Sequence, residues 1–259
     1  MLSRREAQWI AEQASGGDLD VPPTKVAAAH FAVMVERRAA GEPLQYVLGS
    51  WGFRELDLWV DGRVLIPRPE TEQVVEHALR VAREMLEAVR VVRVVDLGTG
   101  SGAIALSIAA ELPLGRVEVW ATDASEDALA VARANLAGIG RSGSAVRLVA
   151  GDWYAALPAG PFHLIVSNPP YVADDEALPP DVAEWEPRSA LYAGPTGLEA
   201  IERIVAHAPA WLAPGGALVV EIGETQGEAV LALATAAGFS DAVIHQDLAA
   251  RDRILVATR

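Results

Sequence analysis

Cysteine is absent from the 259 residues, which excludes a disulfide framework, a thiolate nucleophile and a cysteine metal site. Lysine occurs once, at Lys25, so no Gly-Lys-Ser/Thr phosphate loop exists. Long apolar runs are missing too. The longest candidate, around Ala229–Phe239, is short and interrupted by Thr235 and Gly238, too little to span a bilayer. The opening MLSRREAQWI carries charges where a signal peptide has its apolar segment. The expected compartment is therefore the cytoplasm. Five histidines (His30, His77, His163, His207 and His245) show no metal-ligand spacing, and no Gly-x-Ser-x-Gly elbow is present; no metal is expected. Positive charge is scarce: 21 Lys/Arg against 35 Asp/Glu leave −14. Residues 1–90 hold 11 Lys/Arg and 14 Asp/Glu, so most of the acidity falls on residues 91–259. Phosphate backbones are gripped by basic stripes, which disfavours nucleic acid as a partner.

What the chain does have is 51% hydrophobic and 22% charged residues, the balance of a globular protein with a real core. Its length suits one full domain with a small companion. Residues 3–14 read as a helix, with Ser3 as N-cap and Glu6 completing a capping box. GGDLDVPP breaks the chain, and Thr24 caps a second helix to Ala40, stopped by Gly41. Residues 51–66 alternate loosely and read as a β-hairpin turning at Asp61-Gly62. From Glu70 a helix places Val74, Val75, Ala78, Leu79, Ala82, Met85 and Leu86 on one face. The expected division is a small helical unit with hairpin linker over residues 1–66 and a larger domain over 67–259.

From Val91 strands alternate with helices: VVRVVDLG, VEVWATD, AVRLVAGD, FHLIVSNPPY and GGALVVEIG, then DAVIHQDL and DRILVATR. Helices are expected from Gly102, over Glu126–Ala137, Leu198–Ala210 and Thr225–Ala237, with a long polar loop before the third. The early strands are continuous apolar runs, as in a parallel sheet covered on both faces. The last two are joined too closely for a crossover helix and should pair antiparallel at the edge. The expected fold is α/β, a doubly wound seven-stranded sheet of the class I methyltransferase kind, its last strand antiparallel.

Asp96-Leu97-Gly98-Thr99-Gly100-Ser101-Gly102 ends the first of these strands and opens a helix, the place where such sheets bind ligands. A dinucleotide fingerprint needs G-x-G-x-x-G, whereas the spacing here is G-x-G-x-G. Asp96 beside the loop would repel a pyrophosphate and suits a cationic amine, directly or through water. Asp123 ends the next strand, where its carboxylate can accept both hydroxyls of a ribose. Asp152-Trp153 ends the third, where an acid meets an adenine amine and an indole lies along the ring. Taken singly, Asp123 also reads as a helix cap and Trp153 as core. Acids at successive strand ends together indicate S-adenosylmethionine as the cofactor.

Asn168-Pro169-Pro170-Tyr171 ends the fourth strand. An amide or aromatic amine nitrogen spreads its lone pair into a π-system and carries two N–H donors. The Asn168 side-chain oxygen and the Pro169 carbonyl can each accept one of them, fixing the nitrogen against a methyl donor. Proline stiffens the backbone, and Tyr171 offers a flat surface. Catalysis would then be positioning and electrostatics. The alternative is an amino-methyltransferase acting on adenine in DNA or RNA, which would need a target-recognition domain and positive charge. An idle fold serving as a binding module is the reading from a different class, and the intact glycine loop and Asn168 argue against it.

These motifs resemble the bacterial peptide chain release factor glutamine methyltransferases, the HemK-like enzymes, over nearly everything after Gly41. GEPLQYVLG (Gly41–Gly49), LIPRPETE (Leu65–Glu72), DLGTGSGAIAL, VSNPPYV, PRSAL (Pro187–Leu191), EIG with Gln226, and QDLAARDR (Gln246–Arg253) follow in family order. The resemblance implies methyl transfer to the side-chain nitrogen of the glutamine in the Gly-Gly-Gln loop of class I release factors. It further implies that Gly98–Gly102, Asp123, Trp153 and Asn168 line the cofactor site, that Asn168–Tyr171 hold the glutamine, and that LIPRPETE flanks the pocket. The family carries a longer N-terminal helical bundle that docks on the release factor. Only 40 residues precede Gly41 here, so that bundle is expected to be reduced or truncated.

Overall fold

The computed structural model describes residues 2–17 and 22–259. Helix α1 (Arg4–Ser15) begins with the expected reciprocal box: Ser3 Oγ accepts from the Glu6 amide, and Glu6 accepts from the Ser3 amide. Helix α2 (Lys25–Ala39) starts behind Thr24, which caps the Ala27 amide. The break expected between them includes residues 18–21, which lie outside the described residues. A short α3 (Leu44–Leu48) comes from GEPLQYVLG. Ile10, Met34, Leu44 and Val47 bury one another, giving these three helices a small core of their own.

Strands β1 (Ser50–Phe53) and β2 (Leu56–Trp59) form the antiparallel hairpin. Its turn is Arg54-Glu55, and the Asp61-Gly62 pair assigned from sequence lies beyond the second strand, in a separate turn where the Val64 amide donates to the Asp61 carbonyl. The cause is tertiary. Arg54 adopts φ +51°, held by its amide on Glu72 Oε1 at 3.0 Å and its guanidinium on Glu111 at 2.6 and 2.7 Å. Helix α4 (Pro69–Met85) has Pro69 at its first position and buries Val74, Val75, Ala78, Leu79 and Ala82, the face read from the spacing.

The remainder builds the sheet. In order come β3 (Val92–Leu97), α5 (Ala103–Glu111), β4 (Val117–Asp123), α6 (Glu126–Gly138), β5 (Val146–Ala150) and β6 (Phe162–Ser167). The expected polar loop is in fact built: β7 (Val172–Ala173), α7 (Pro180–Ala183), α8 (Arg188–Leu191) and β8 (Tyr192–Gly194), with β7 and β8 pairing parallel. Then follow α9 (Glu199–Trp211), β9 (Leu212–Glu221), α10 (Gly227–Ala236), β10 (Asp241–Gln246) and β11 (Asp252–Thr258).

The seven strands lie in the order β10-β11-β9-β6-β3-β4-β5. All neighbours from β9 to β5 run parallel, and β11 runs antiparallel to both β9 and β10. Alternation along β3 explains the double cover: Val92 and Val94 enter the core under α4 and α5, whereas Val95 and Leu97 enter the core with α9 and α10. Each such buried Val or Leu contributes roughly 1.5–3 kcal/mol, which commits β3 to the sheet centre. Strand order reverses at β3 and β6, whose ends Leu97 and Ser167 face each other. A crevice must open there, outside the carboxyl ends of the strands. No helix among the described residues is long and apolar enough to cross a membrane.

Candidate active site

The crevice is walled by the glycine loop, by the ends of β4, β5 and β6, and by two crossing segments. Gly98, Thr99, Gly100, Ser101, Asp123, Asp152, Trp153, Asn168 and Pro170 all line it. The other four residues singled out in the sequence adjoin the lining ones: Asp96 is fully buried beneath the loop, Gly102 follows Ser101, and Pro169 and Tyr171 flank Pro170.

Gly98 sits at φ +71°, and a Cβ there would lie 3.3 Å from Trp153 Cζ3. The missing side chain thus lets the indole lie along the loop. Gly102 serves packing: at φ +88° a Cβ would press on Leu106 Cδ1 at 3.0 Å. Beneath the loop, Asp96 is fully buried. Its Oδ2 accepts from Thr99 Oγ1 at 2.6 Å and from the Ala105 amide at 3.2 Å, while Oδ1 has no partner among the described residues. Burial pushes this carboxyl up to about 7, against the Thr99 hydrogen bond that favours the anion. Asp123 Oδ2 accepts from the Gly100 amide and Oδ1 from the Ser125 amide, both at 2.9 Å. It thereby braces the loop and still leaves lone pairs toward the crevice. Ser125, not Asp123, caps α6. Burial raises the Asp123 carboxyl, opposed by these amide bonds.

Trp153 takes φ +50° and borders the crevice. Its neighbour Asp152 also borders the crevice, with Oδ2 in an exposed pair with Arg203 at 2.5 Å.

Asn168 leaves β6 just after Ser167, whose Oγ donates to the Leu97 carbonyl at 2.7 Å and ties the two strand ends together. Asn168 Nδ2 donates to Thr71 Oγ1 at 3.0 Å. Thr71 Oγ1 donates in turn to Glu221 Oε2 at 2.7 Å, and the Tyr171 hydroxyl reaches Glu221 Oε1 at 3.4 Å. Among the described residues no donor meets Asn168 Oδ1 or the Pro169 carbonyl. Glu221 is buried at the end of β9, and burial pushes its carboxyl up to about 7; the Thr71 bond and the Arg253 charge pull the other way. Burial and the nearby Glu221 raise the Tyr171 hydroxyl. Gln226 Nε2 donates to the carbonyls of Tyr171 and Gly197, both at 3.1 Å, pinning the segment after Asn168.

The two crossing segments are the motifs that carried no individual roles in the sequence. Leu65, Pro67 and Thr71 from LIPRPETE and Pro187, Ser189 and Ala190 from PRSAL enter the wall. Glu186 joins them, accepting from the Ile66 amide at 3.0 Å and from the Arg68 guanidinium. Thr71 and Glu221 lie in LIPRPETE and EIG, but threonine and glutamate at a helix start and a strand end are commonplace and suggest no role; only the fold brings them to Asn168.

The wall is thus rich in acceptors, and Arg63, the cation that borders it, is paired with Asp61 at 2.6 Å. A pyrophosphate here would face Asp123 with Asp96 behind the loop. A cationic ligand with a ribose diol and a planar base fits the same set: an unpartnered buried oxygen on Asp96, spare acceptors on Asp123, and an indole face. S-adenosylmethionine has those features.

The wider likenesses agree. Residues 72–184 match the methyltransferase small domain, and residues 3–49 match the PrmC N-terminal domain. A release factor glutamine methyltransferase from Xylella fastidiosa is 46% identical over 92% of this chain and 84% of its own. The protein of that name from Bordetella pertussis is 44% identical over 98% and 94%. Among solved structures, a methyltransferase from Pyrococcus furiosus shares the fold with TM-score 0.55 at 18% identity, over 89% of this chain and 96% of that one. The 16S rRNA N2 G1207 methyltransferase of Thermus thermophilus gives TM-score 0.55 at 19% identity, over 81% and 49%. With identity at this level over nearly all of both chains, this protein belongs to the release factor glutamine methyltransferase family, whose cofactor is S-adenosylmethionine.

Proposed function

We propose that this enzyme transfers a methyl group from S-adenosylmethionine to the side-chain amide nitrogen of the glutamine in the Gly-Gly-Gln loop of class I release factors. The observation that carries this reading is the Asn168 carboxamide. It borders the crevice with its nitrogen spent on Thr71, so the end left for a ligand is an acceptor, matched to an N–H donor. The Pro169 carbonyl is a second acceptor on a stiff backbone. Two acceptors fit the two hydrogens of a primary amide and hold its nitrogen in one orientation.

When bound, S-adenosylmethionine supplies an electrophilic methyl group on a sulfonium centre. Asp123 would hold its ribose hydroxyls, Trp153 its adenine face, and Asp96 with the Gly98–Gly102 loop its charged amino-acid end. The chain's contribution is orientation and exclusion of water, with Tyr171 and Pro170 flanking the planar amide. Residues 67–259 would be the catalytic domain and residues 1–66 the docking unit for the release factor. A strip on α2, apolar at Val26, Ala29 and Val33 and bordered by Lys25 and His30, supports that division, with Val26 79% and Val33 52% exposed. Such a substrate sets the reaction in the cytoplasm, and the net charge of −14 weighs against a nucleic acid in its place.

The test is competition for label. With methyl-labelled cofactor and purified release factor, RNA and DNA in one reaction, the label should appear on the release factor. Label on adenine, with the release factor untouched, would replace this reading by the amino-methyltransferase one.

A further inference from the structure

A carboxamide can present either end to a ligand, and nothing in asparagine itself decides which. If its nitrogen faced the crevice, Asn168 would repel the hydrogens of an amide substrate. Something behind Asn168 must choose. Its neighbour there is a hydroxyl, Thr71 Oγ1 at 3.0 Å, and a hydroxyl is equally ambiguous, with one hydrogen to give and lone pairs to accept. Thr71 is resolved one step further back. Its hydroxyl also meets Glu221 Oε2 at 2.7 Å. The other oxygen of that carboxylate receives the Tyr171 hydroxyl at 3.4 Å. In its ionised form a carboxylate has no hydrogen to offer, so Thr71 then donates to Glu221, the direction the structure shows. With its single hydrogen spent there, Thr71 can only accept from Asn168. That fixes Nδ2 toward Thr71 and Oδ1 toward the crevice.

We propose that Glu221 is a positioning residue that sets, through the Thr71 hydroxyl, which end of the Asn168 carboxamide faces the substrate. This rests on the reading of Asn168 as acceptor for the substrate amide. Packing alone does not account for Glu221. Among the described residues it is buried without an ion pair, and burial of an acid in that state is unfavourable compared with an apolar side chain of the same volume. The charged and titratable groups around it are Arg253 from β11, Glu70 from α4 and Tyr171 beyond β6. Arg253 lends positive potential yet directs its own Nη1 to the Ile222 carbonyl at 3.0 Å.

The experiment compares Thr71→Val, Thr71→Ser and Glu221→Gln with wild type. Three quantities are measured: kcat and KM on intact release factor, cofactor affinity, and hydrogen exchange of the Asn168 side-chain amide by NMR, assigned through its loss in Asn168→Ala. Thr71→Val removes the acceptor. It should lower kcat by roughly tenfold to a hundredfold, leave cofactor affinity unchanged, and speed exchange of the Asn168 amide. Thr71→Ser, which keeps the hydroxyl, should restore both kcat and slow exchange. In Glu221→Gln the Tyr171 hydroxyl keeps the side-chain oxygen, so the new nitrogen turns to Thr71 and frees it to donate to Asn168; kcat should fall as in Thr71→Val. The inference is overturned by wild-type kcat in folded Glu221→Gln or in Thr71→Val, by Thr71→Ser as slow as Thr71→Val, or by unchanged exchange in Thr71→Val. If Glu221→Gln does not fold, the Thr71 pair and the exchange rates decide. Exchange needs no substrate, so failure of wild type to methylate release factor would count against the functional reading and leave the orientation test standing.

Discussion

Asp96→Asn should stabilise the free protein, and by an amount that grows with pH. The replacement keeps the acceptor that Thr99 Oγ1 and the Ala105 amide use and removes a charge from a fully buried site. In the folded protein burial lifts the Asp96 carboxyl from the ordinary 3.8 to about 7. A carboxyl raised in this way binds its proton more tightly folded than unfolded. Its contribution is therefore fully present below about pH 4 and is lost as pH climbs toward about 7. At about 1.4 kcal/mol per pH unit, the ionised side chain costs about 4 kcal/mol above that point. Asparagine does not titrate. Urea unfolding of both proteins from about pH 5 to about pH 8 should show the variant gaining on wild type by about 1.4 kcal/mol per pH unit up to about pH 7, then a constant gap. Glu221, also pushed up to about 7, titrates in both proteins and cancels in the difference. The same variant should bind S-adenosylmethionine more weakly, because the charge that destabilises the free loop is the one proposed to meet the cofactor's amine. A gap that stays constant with pH would refute the description of Asp96 as a buried ionising group.

Asn168→Ala should lower kcat by about 3 kcal/mol of transition-state stabilisation while calorimetry finds cofactor affinity within a few-fold of wild type. A kcat at wild-type level at saturating cofactor, with weakened cofactor affinity as the only defect, would reverse the assignment. Asp123→Ala should weaken S-adenosylmethionine by roughly 1.5–3 kcal/mol, since Asp123 both braces the Gly100 amide and offers acceptors to the crevice. An equal dissociation constant would confine Asp123 to holding the loop. Val26→Glu with Val33→Glu, on the exposed strip of α2, should raise KM for intact release factor and leave the slow rate on a Gly-Gly-Gln peptide unchanged; equal effects on both substrates would remove the docking role.

The legible parts of this protein were those that local chemistry decides. Ser3 with Glu6, and Thr24, announced their helices because caps act within one turn. The apolar runs of β3 and β6 announced a doubly covered sheet, and the short link between the last two strands announced their antiparallel pairing. The glycine spacing and the Asn-Pro-Pro-Tyr run were legible because close approach and a stiff pair of acceptors each demand particular residues. What stayed hidden was decided at a distance. The hairpin turns at Arg54 because Glu72 and Glu111, far along the chain, hold a residue at φ +51°, while Asp61-Gly62 had the better local turn chemistry. Asp152 was legible as a strand-end acid, but its partner Arg203 on α9 was not. Thr71 and Glu221 are 150 positions apart and meet only through α4 and β9. The segment from Tyr171 to Leu198 reads as polar loop, yet Gln226 and Glu186 tie it into the wall.

The central claim is that Asn168 presents an acceptor to the amide of a release-factor glutamine. Tandem mass spectrometry of release factor, incubated with cofactor and either wild-type enzyme or Asn168→Ala, tests it most directly. At early, matched times the account predicts the mass of one methyl group on the side chain of the Gly-Gly-Gln glutamine with wild type, and about a hundredfold less of it with the variant. A methyl group on any other residue, or equal modification of the glutamine by both enzymes, would contradict it.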